Sequence, residues 1–511
     1  MIPDIEYSSK PTSDLTDDEL DQCSDLYSNH YGVYSADAPE GKAGKRVRMS
    51  SNYYRSNFMN DNYRVVLAKH GNTVVGQAFY LRDKIDGDTF TWVLQLVVHT
   101  DYRRSGIGGR LLYSIWGFSD DGAWGLATAN PFTVKTLEGT TLRHVLPEEI
   151  MKHEGLVREI CSRIPYISEL MINGITSMAC TDFYVDADGM DRELLLDKFG
   201  DSWILGSLPS GHEWVAFTFK DQDFDSDFTN ELCGMIDFSE ERLKDAYSRM
   251  DMENHPWAKH TSSEIRALES MNVPLDDVRI LDAGCGRGRH SLDIAHRHPS
   301  SSIVGVDFSK ANIEYADSKK GSLGNASFEV VDLRNYHPPE PFDVVLCLYD
   351  VIGSFPDDVD NDAILDSLAS CCMIGGYLVI SVMNMELTRH IALPSHIGDV
   401  QSNPKMLFDL PPGDVMHKSG DIFDPKLFLI DSKTGLVYRK EQFGDDSSLP
   451  AEYVIRDRRY TAKELTDLVK NRGFDVIDCR YVRAGRWDEP LEATDMKAKE
   501  ILLIARKTSI F

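Results

Sequence analysis

The spacing of apolar residues separates the chain into two halves of different secondary structure. In the first half, apolar and polar positions alternate in runs that predict strands, and segments with the spacing of amphipathic helices separate these runs. In the second half, short apolar runs alternate regularly with helical segments, which is the pattern of a parallel sheet covered by helices. The predicted strands of that sheet are 278–283, 302–307, 327–331, 342–348 and 377–383.

An acidic, turn-prone stretch, DQDFDSDF at 221–228, marks the boundary between the halves. Segments of this composition are usually solvated connectors. We therefore predict an N-terminal domain, a linker with a lead-in helix, and a C-terminal domain, at 1–222, 223–254 and 255–511.

Each predicted domain carries an insertion. The N-terminal domain is expected to contain a helical insertion at about 139–200. The C-terminal domain is expected to contain strand-like segments at about 399–459, which interrupt the alternation of strands and helices. We expect this second insertion to form a β-rich lid over an active site.

Composition narrows the classes of partner. The chain has 511 residues, enough for about three domains or two large ones. Its 82 acidic and 54 basic residues give a net charge of −28, which disfavours nucleic acids and anionic membranes as partners. No apolar run is long enough to span a bilayer, and the acidic start does not resemble a secretory signal. The nine cysteines form no CxxC pair and no metal-binding cluster, so we expect a cytoplasmic protein without a metal site.

A glycine-rich loop follows the first strand of the C-terminal half and opens a helix. Asp282, Gly284, Gly286 and Gly288 form the pattern DxGxGxG, in which glycine allows a sharp turn and close approach of a ligand. A dinucleotide fold would require its third glycine at position 289, which is arginine. The next two strands also end in acids, which can accept hydrogen bonds from a ribose and from an exocyclic amine.

This arrangement resembles the class I S-adenosylmethionine-dependent methyltransferases over about 255–507. The resemblance implies a Rossmann-like fold with S-adenosylmethionine as cofactor. Asp282 and Gly284 would then lie beside the methionine part of the cofactor, Asp307 beside its ribose, and Asp332 beside its adenine. The full set of residues implied for cofactor binding is Asp282, Gly284, Gly286, Gly288, Asp307, Asp332 and Leu333.

The fourth strand of this half ends in CLYDVIGSF at 347–355. This segment lacks the Asn-Pro-Pro-Tyr and Pro-Cys motifs of DNA methyltransferases, so we expect a small-molecule substrate. Candidates for a base that assists methyl transfer are Tyr349, Asp350 and His290, although packing or capping roles remain open for each. A polar run either binds a substrate carboxylate or forms a solvated face: Arg456, Arg458, Arg459 and Tyr460.

A second glycine loop lies in the N-terminal half. Arg103, Gly106 and Gly108 form RxxGxG between a strand and a helix, where backbone N–H groups can cradle a pyrophosphate. With its flanking strands, this loop resembles the GCN5-related N-acetyltransferase (GNAT) family over about 10–140, and less clearly over 200–220. The resemblance implies a mixed α/β fold that binds acetyl-CoA. The implied contacts are Leu96, Val98, Arg103, Arg104, Ser105, Gly106, Ile107, Gly108, Gly109 and Asn130.

Two positions depart from that family's pattern. Gln95 stands where many members carry a glutamate base, and Leu137 stands where a tyrosine acid is common. Because glutamine cannot take up a proton at neutral pH, a base would have to come from elsewhere, and His99 and Glu138 are candidates. A purely structural role for His99 remains open.

Three hypotheses of function follow. The first is a bifunctional transferase that methylates a small metabolite and acylates an amine. The second is a methyltransferase with a catalytically inactive, acetyl-CoA-binding or substrate-docking module. The third is a modifier of RNA or protein, which the net charge disfavours. A homodimer is left open in all three.

Overall fold

The computed structural model describes residues 5–60, 62–117, 119, 121–186, 196, 198–200, 203–223, 225, 228, 247, 256–403, 405–416, 421–441 and 453–509. The chain divides into two compact units, Met1–Ile236 with Asp446–Pro450, and Asp237–Asp445 with Ala451–Phe511. Each unit is described by itself. Most of the predicted linker and lead-in helix at 223–254 lies outside the described residues. None of the described helices is both long and apolar enough to cross a membrane.

The first unit combines helices with one large sheet. Its helices are α1 (Asp17–His30), α2 (Ser51–Asn57), α3 (Ile107–Trp116), α4 (Pro131–Thr141), α5 (Pro147–Lys152) and α6 (Glu154–Ser162). Its strands are β1 (Glu6–Pro11), β2 (Val33–Tyr34), β3 (Tyr63–His70), β4 (Thr73–Ile85), β5 (Asp88–Val98), β6 (Ala123–Thr128), β7 (Ser168–Asn173), β8 (Thr176–Cys180), β9 (Val185–Asp186) and β10 (His212–Phe219).

The sheet of the first unit has the order β1-β3-β4-β5-β6-β10-β8-β7, and β5 and β6 run parallel. Their pairing joins Phe90–Val93 to Ala123–Leu126 and stops there, although β5 continues to Val98. The register of β5 against β4 shifts between Phe79 and Tyr80, so β5 carries a bulge. The two parallel strands therefore separate at their carboxyl ends, and this opens a cleft next to α3.

The insertion predicted as helical at about 139–200 is only partly helical: α5 and α6 end at Ser162, whereas the described residues 163–186 contain strands, and the prediction is corrected for that segment. Beyond α6 the chain forms the β7–β8 hairpin, which extends the edge of the sheet, and β9 pairs with β2. Asn173 Oδ1 accepts hydrogen bonds from the backbone N–H groups of Ile175 and Thr176, both at 3.0 Å, and this fixes the hairpin turn. Asn-Gly at 173–174 is the local signal for that turn.

The second unit contains the parallel sheet. Its helices are α7 (Thr261–Ser270), α8 (Arg289–Arg297), α9 (Lys310–Lys320), α10 (Asp358–Cys371), α11 (Met385–Ile391), α12 (Lys405–Asp409) and α13 (Ala462–Lys470). Its strands are β11 (Arg279–Ala283), β12 (Ser302–Asp307), β13 (Ala326–Val330), β14 (Phe342–Cys347), β15 (Cys372–Met383), β16 (Ile397–Gly398), β17 (Leu429–Asp431), β18 (Val437–Glu441), β19 (Tyr453–Asp457), β20 (Phe474–Arg483), β21 (Arg486–Leu491) and β22 (Glu500–Lys507).

The main sheet of the second unit has the order β13-β12-β11-β14-β15-β22-β20-β21. The first five strands are parallel, and β22 is antiparallel to β15. The order reverses between β11 and β14, which is where open α/β sheets form a ligand crevice at the carboxyl ends of their strands. This confirms the predicted Rossmann-like fold.

The insertion in the second unit forms a four-stranded sheet of its own, β16-β17-β18-β19. We call this sheet and its described connections, 397–403, 405–416, 421–441 and 453–457, the lid. All five residues of β18 are buried, charged ones included, and every second residue of β19 is buried. The predicted β-rich insertion is therefore confirmed.

Asn384 joins the end of β15 to the segment that precedes β22. Its side chain is fully buried, and Nδ2 donates to the carbonyl oxygens of Ala493 at 2.8 Å and Ala498 at 2.7 Å. Its Oδ1 also accepts from Leu387 N at 3.2 Å and so caps α11. One side chain thus satisfies three backbone groups that the fold removes from water.

We expect Asn384→Ala to lower the free energy of unfolding by about 3 kcal/mol, because it leaves buried carbonyl groups without donors and removes a helix cap. The matched control is Asp357→Ala, which removes an exposed cap of α10 that accepts from Val359 N at 2.8 Å. The control is expected to cost about 1 kcal/mol. Urea unfolding of the full chain measures both, and equal losses would contradict the role given to Asn384.

Candidate functional site

The glycine loop of the second unit has a backbone that requires glycine. Gly284, Gly286 and Gly288 have φ angles of 74°, 53° and 77°. A Cβ atom on Gly284 would lie 2.3 Å from Val351 Cγ2, and one on Gly288 would lie 2.8 Å from Phe328 Cε1. The loop therefore combines a left-handed backbone with close packing, and larger residues fit neither.

Buried acidic residues hold this loop in place through hydrogen bonds. Asp282 is buried and accepts a hydrogen bond from Ser291 Oγ at 2.5 Å. Asp307, also buried, accepts from the backbone N–H groups of Gly286 at 2.9 Å and Ser309 at 2.8 Å. Burial raises the pKa of Asp307, and these backbone hydrogen bonds oppose that shift. Asp332 is exposed and pairs with a neighbouring arginine.

A cavity of about 410 Å³ lies at the carboxyl ends of the parallel strands. It brings together six of the seven predicted S-adenosylmethionine contacts and all three candidate bases. Gly288 does not line it, because this glycine packs against Phe328 instead. The predicted residues on its wall are Asp282, Gly284, Gly286, Asp307, Asp332, Leu333, His290, Tyr349 and Asp350.

Two consecutive candidates, Tyr349 and Asp350, have left-handed backbones with φ angles of 61° and 62°. Such conformations cost non-glycine residues of order 1–3 kcal/mol each and persist only where neighbours hold them. Here Ser381 holds both: Tyr349 N donates to its Oγ at 2.7 Å, and Asp350 N donates to its carbonyl oxygen at 3.2 Å. The turn directs both side chains to the cavity wall.

Glu264, on α7, is a site residue that the sequence analysis missed. Its carboxylate is fully buried and shares a 2.9 Å hydrogen bond with His290 Nε2, while the Tyr349 hydroxyl donates to its Oε1. Arg289 Nη1 and Gly485 N also donate to it, at 2.9 and 3.0 Å. The signal in the sequence was an acid on the apolar face of an amphipathic helix.

The charges around Glu264 fix its protonation state. Burial by itself would raise the pKa of this carboxyl, but the hydrogen bond from His290 and the charge of Arg289 outweigh burial and lower that pKa to about 2. Burial and the same arginine lower the pKa of His290. Near neutral pH the pair is therefore a carboxylate bonded to a neutral imidazole.

The lid contributes buried ion pairs to the cavity. Arg439 Nε donates to Asp457 Oδ2 at 3.0 Å, and Arg439 also pairs with Glu441. Arg459 is fully buried and donates to Thr388 Oγ1 at 3.0 Å, with Asp457 at 3.3 Å. Arg439 and Asp457 line the cavity. The expectation that Arg459 could belong to a solvated face is therefore wrong, because this side chain has no contact with water.

The glycine loop of the first unit begins α3. Gly106 is the N-cap, with φ 86°, and a Cβ atom there would meet no atom within 4 Å. Arg103 Nε donates to Val98 O at 3.0 Å, and the same guanidinium donates to the carbonyl oxygen of His30. This arginine thus fastens the loop to the end of β5. The N–H groups in the first turn of α3 lack intrahelical acceptors, which makes the turn a natural anion site.

A cavity of about 610 Å³ occupies the cleft between β5 and β6 and extends to this loop. It reaches eight of the ten predicted acetyl-CoA contacts. Ser105 and Ile107 are not on its wall: Ser105 Oγ donates to Tyr102 O, and Ile107 is buried in the core. The eight are Leu96, Val98, Arg103, Arg104, Gly106, Gly108, Gly109 and Asn130.

The two departures from the family pattern have structural explanations. Gln95 is buried, and its Oε1 accepts hydrogen bonds from the Tyr54 hydroxyl at 2.6 Å and from Gln77 Nε2 at 2.7 Å. An ionised carboxylate in place of this amide would be a buried charge bonded only to neutral groups. Leu137 is fully buried in the core. Neither position supplies an acid or a base.

The two candidate bases in this unit do not lie on the cavity wall. Glu138 accepts from Val145 N at 2.9 Å and pairs with Lys135 at 2.8 Å. His99 packs against the ring of His30, with centroids 3.7 Å apart. The structure therefore gives both residues contacts that stabilise the fold.

Glu213 is the acid that does line this cavity, and the sequence analysis missed it. It lies on β10, one residue before the position that pairs with Thr128 at the end of β6, and it is 6% exposed. Tyr31 lies on the same cavity wall; burial first, and then the charges of Tyr27 and Glu213, raise the pKa of its hydroxyl. A single acid within the apolar run EWVAF was the available signal.

Family models match both units. The model of the acetyltransferase (GNAT) family matches residues 29–117, and a methyltransferase-domain model matches residues 274–439. These ranges include the two glycine loops and the strands that precede them. The matches confirm the cofactors predicted from the sequence, acetyl-CoA for the first unit and S-adenosylmethionine for the second.

Curated proteins similar to this chain include methyltransferases. A malonyl-[acyl-carrier protein] O-methyltransferase of Ilyobacter polytropus is 41% identical over 66 residues, which are 13% of this chain and 25% of that protein. A putative methyltransferase of Invertebrate iridescent virus 6 is 27% identical over 142 residues, 27% of this chain and 50% of that protein. The chain thus spans a quarter to a half of the length of these relatives.

Solved structures align over about half of the chain. A methyltransferase from Clostridium acetobutylicum covers 52% of this chain and 96% of its own, with 14% identity and a TM-score of 0.35. The CcbJ methyltransferase from Streptomyces caelestis covers 48% and 90%, with 11% identity and a TM-score of 0.33. At such scores the fold assignment depends on the strand order described above. The chain contains a GNAT acetyltransferase-family domain, matched at residues 29–117, and a methyltransferase domain, matched at residues 274–439.

Proposed function

We propose that the chain is a bifunctional transferase that methylates a small molecule in its second unit and acylates an amine in its first. One observation carries the proposal: in each unit a glycine loop borders a cavity that also contains a buried carboxyl group. Each cavity therefore combines a place for an activated donor with a group that can take a proton from an acceptor.

The second unit's loop suits S-adenosylmethionine, which supplies an activated methyl group. The absence of side chains at Gly284 and Gly286 leaves backbone on the cavity wall, and acids at the ends of β11 and β12 adjoin it. Asp282 and Gly284 would hold the methionine part and Asp307 the ribose. Asp332 and Leu333, after β13, would hold the adenine.

Among the three candidate bases, the hydrogen bonds favour Asp350. His290 and the Tyr349 hydroxyl both bond to Glu264, so we assign them positioning roles. Asp350 accepts from the backbone N–H of Met383, and its Oδ1 has no hydrogen-bond partner among the described residues. That oxygen is available to accept a proton from a bound substrate.

The first unit's loop suits acetyl-CoA, which supplies an activated acetyl group. The first turn of α3 would bind its pyrophosphate, and the edge of β5 from Leu96 to Val98, which β6 leaves unpaired, would pair with its pantetheine amides. Glu213 would take a proton from the incoming amine. This assignment favours an active acetyltransferase over a docking module, since it provides the base that Gln95 cannot.

The alternative of an inactive module is retained because Leu137 leaves the departing thiol without the family's usual acid. A modifier of RNA is less well supported, since the net charge of −28 opposes phosphate binding. Cytoplasmic location and a homodimer remain predictions.

Gly284→Ala is expected to weaken binding of S-adenosylhomocysteine by about 10-fold or more, because the new Cβ collides with Val351. Gly435→Ala is the matched control: its φ is +73° against +74°, but a Cβ atom there meets nothing within 4 Å. Calorimetric titration of both full-length variants compares them. Equal binding by Gly284→Ala and Gly435→Ala would contradict the assignment of the loop.

Asp350→Asn is expected to stabilise the protein at pH 8 and to have a much smaller effect at pH 4. Burial raises the pKa of this carboxyl to about 7, with Asp457 adding to the shift and Arg459, Met383 N–H and Arg439 opposing it. Glu500, on β22, also faces Asp350. Because the folded-state pKa exceeds the unfolded-state value, the wild type loses stability as the pH rises from about 4 through about 7.

Urea unfolding of wild type and Asp350→Asn at pH 4 and pH 8 measures this difference. A constant difference between the two proteins across that range would show that Asp350 does not change its protonation state there.

Glu213→Gln is expected to lower the rate of acetyl transfer by about 100-fold or more while leaving acetyl-CoA affinity unchanged, because only the proton acceptor is lost. The same change at Glu138, the candidate from the sequence, is expected to spare the reaction. Release of free thiol from acetyl-CoA in the presence of primary amines measures the rate, and calorimetry measures binding. Full activity of Glu213→Gln would contradict its role, whereas wild-type binding without turnover would favour the docking module.

A further inference from the structure

The methyltransferase cavity holds two carboxyl groups that each keep one oxygen without a hydrogen-bond partner among the described residues. Glu500, at the start of β22, is 7% exposed, and its Oε2 has no hydrogen-bond partner among the described residues. Asp350 Oδ1, on the turn after β14, is in the same condition. Both side chains line the cavity, burial raises the pKa of each carboxyl, and the charge of Asp350 adds to the shift at Glu500. A bound ligand that supplied donors to both would remove this unfavourable arrangement.

The cations near these two carboxyls are already compensated by other acids. Arg439 in the lid and Arg459, just after it, share Asp457 and Glu441. Arg289, which also lines the cavity, pairs with Glu264 at 2.9 Å. Lys499, next to Glu500 in sequence, pairs with Asp421 at 2.7 Å. These cations therefore already pair with acids other than Asp350 and Glu500.

Apolar and aromatic side chains also line the cavity. They include Met383 on β15 and, in the lid, Val415, Met416, Ile422 and Phe423. Such a surface suits the carbon skeleton of a small molecule, and an aromatic face also attracts cations. The polar and apolar groups together define a ligand with an alkyl or aryl body and a positively charged head.

We infer that the methyl acceptor is an amine, bound as its ammonium ion between Asp350 and Glu500. The inference rests on the proposed methyltransferase function and adds the substrate class. One N–H bond of the ammonium breaks, its proton passes to Asp350 Oδ1, and the bonding electrons stay on nitrogen as a lone pair. This lone pair forms the N–C bond to the methyl group while the S–C bond to that methyl breaks, and the electron pair of the broken bond stays on sulfur in the product S-adenosylhomocysteine. Glu500 retains a hydrogen bond to a remaining N–H.

Charge and the number of hydrogen-bond donors distinguish an amine acceptor from two other common acceptor classes, carboxylates and hydroxyls. A carboxylate acceptor would add negative charge beside Asp350 and Glu500, whose ionisation burial already opposes, and this costs free energy. A neutral hydroxyl offers one donor and would leave one of the two carboxyl oxygens without a partner.

The experiment compares two ligands that differ at the position of the transferred methyl group. S-adenosylhomocysteine is uncharged there, whereas sinefungin, its analogue, carries an ammonium group. We expect the full-length protein to bind sinefungin at least about 10-fold more tightly, and Asp350→Asn or Glu500→Gln to remove most of this preference while keeping affinity for S-adenosylhomocysteine. Calorimetric titration provides both dissociation constants, and retained S-adenosylhomocysteine binding shows that each variant is folded.

Glu386→Gln is the matched control. Glu386 also has a buried carboxyl oxygen without a partner among the described residues, but it lies outside the cavity wall and accepts from the Tyr481 hydroxyl at 2.8 Å. This variant is expected to keep the full preference for sinefungin. An unchanged preference in both Asp350→Asn and Glu500→Gln would overturn the inference. Failure of the wild type to bind S-adenosylhomocysteine would overturn the proposed function instead.

A second measurement tests the acceptor class directly. Formation of S-adenosylhomocysteine is followed with matched panels of primary amines, alcohols and carboxylic acids that share the same carbon skeletons. Turnover confined to amines supports the inference. Turnover of alcohols or acids with inert amines would overturn it while leaving the methyltransferase function intact.

Discussion

The methyltransferase unit depends on the burial of one negative charge. Placing an unpaired carboxylate in a protein interior costs several kcal/mol, so Glu264 must be surrounded by donors wherever it is buried. Those donors lie 26, 85 and 221 positions away along the chain, at His290, Tyr349 and Gly485. The first turn of α8, the left-handed turn after β14 and the loop before β21 are thereby brought to a single point. The cavity wall between them follows from that requirement.

Both units give a ligand close access to the backbone of a glycine loop, but through different strand arrangements. A phosphate or an adenosyl group needs close access to backbone, and a glycine loop between a strand and a helix provides it. In the first unit the access comes from two parallel strands that separate after Val93 and Leu126. In the second it comes from the reversal of strand order between β11 and β14. In each case the carboxyl group that faces the cavity, Glu213 or Asp350, comes from a different segment than the glycine loop.

The glycine loops are local in sequence, whereas the acidic residues of each cavity come from distant segments. This difference explains which features the sequence could predict. The glycine loops, the strand order and the β-rich insertion follow from local spacing and turn chemistry, because each is encoded within about 10 to 20 neighbouring residues. Glu264, Glu213 and Glu500 could not be found that way, since an acid within an apolar segment has a role only once distant segments pack around it. Gln95 shows the converse: its position in a family pattern indicated a lost base, whereas Tyr54 and Gln77 explain the amide as part of a buried network. The β7–β8 hairpin was missed because helical spacing upstream was extended past Ser162.

The buried ion pairs of the lid have a consequence for the conditions under which the cavity keeps its shape. Dissolved salt weakens attraction between charges that face water, such as Lys463 and Asp467, which are 86% and 54% exposed. Arg439 and Asp457 are 7% and 3% exposed, so ions in solution cannot come between them. High ionic strength also relieves the mutual repulsion of a surface that carries 28 excess negative charges. Concentrated salt would therefore weaken both the exposed ion pairs and the repulsion between surface charges. The buried Arg439–Asp457 pair on the wall of the methyltransferase cavity would be unaltered.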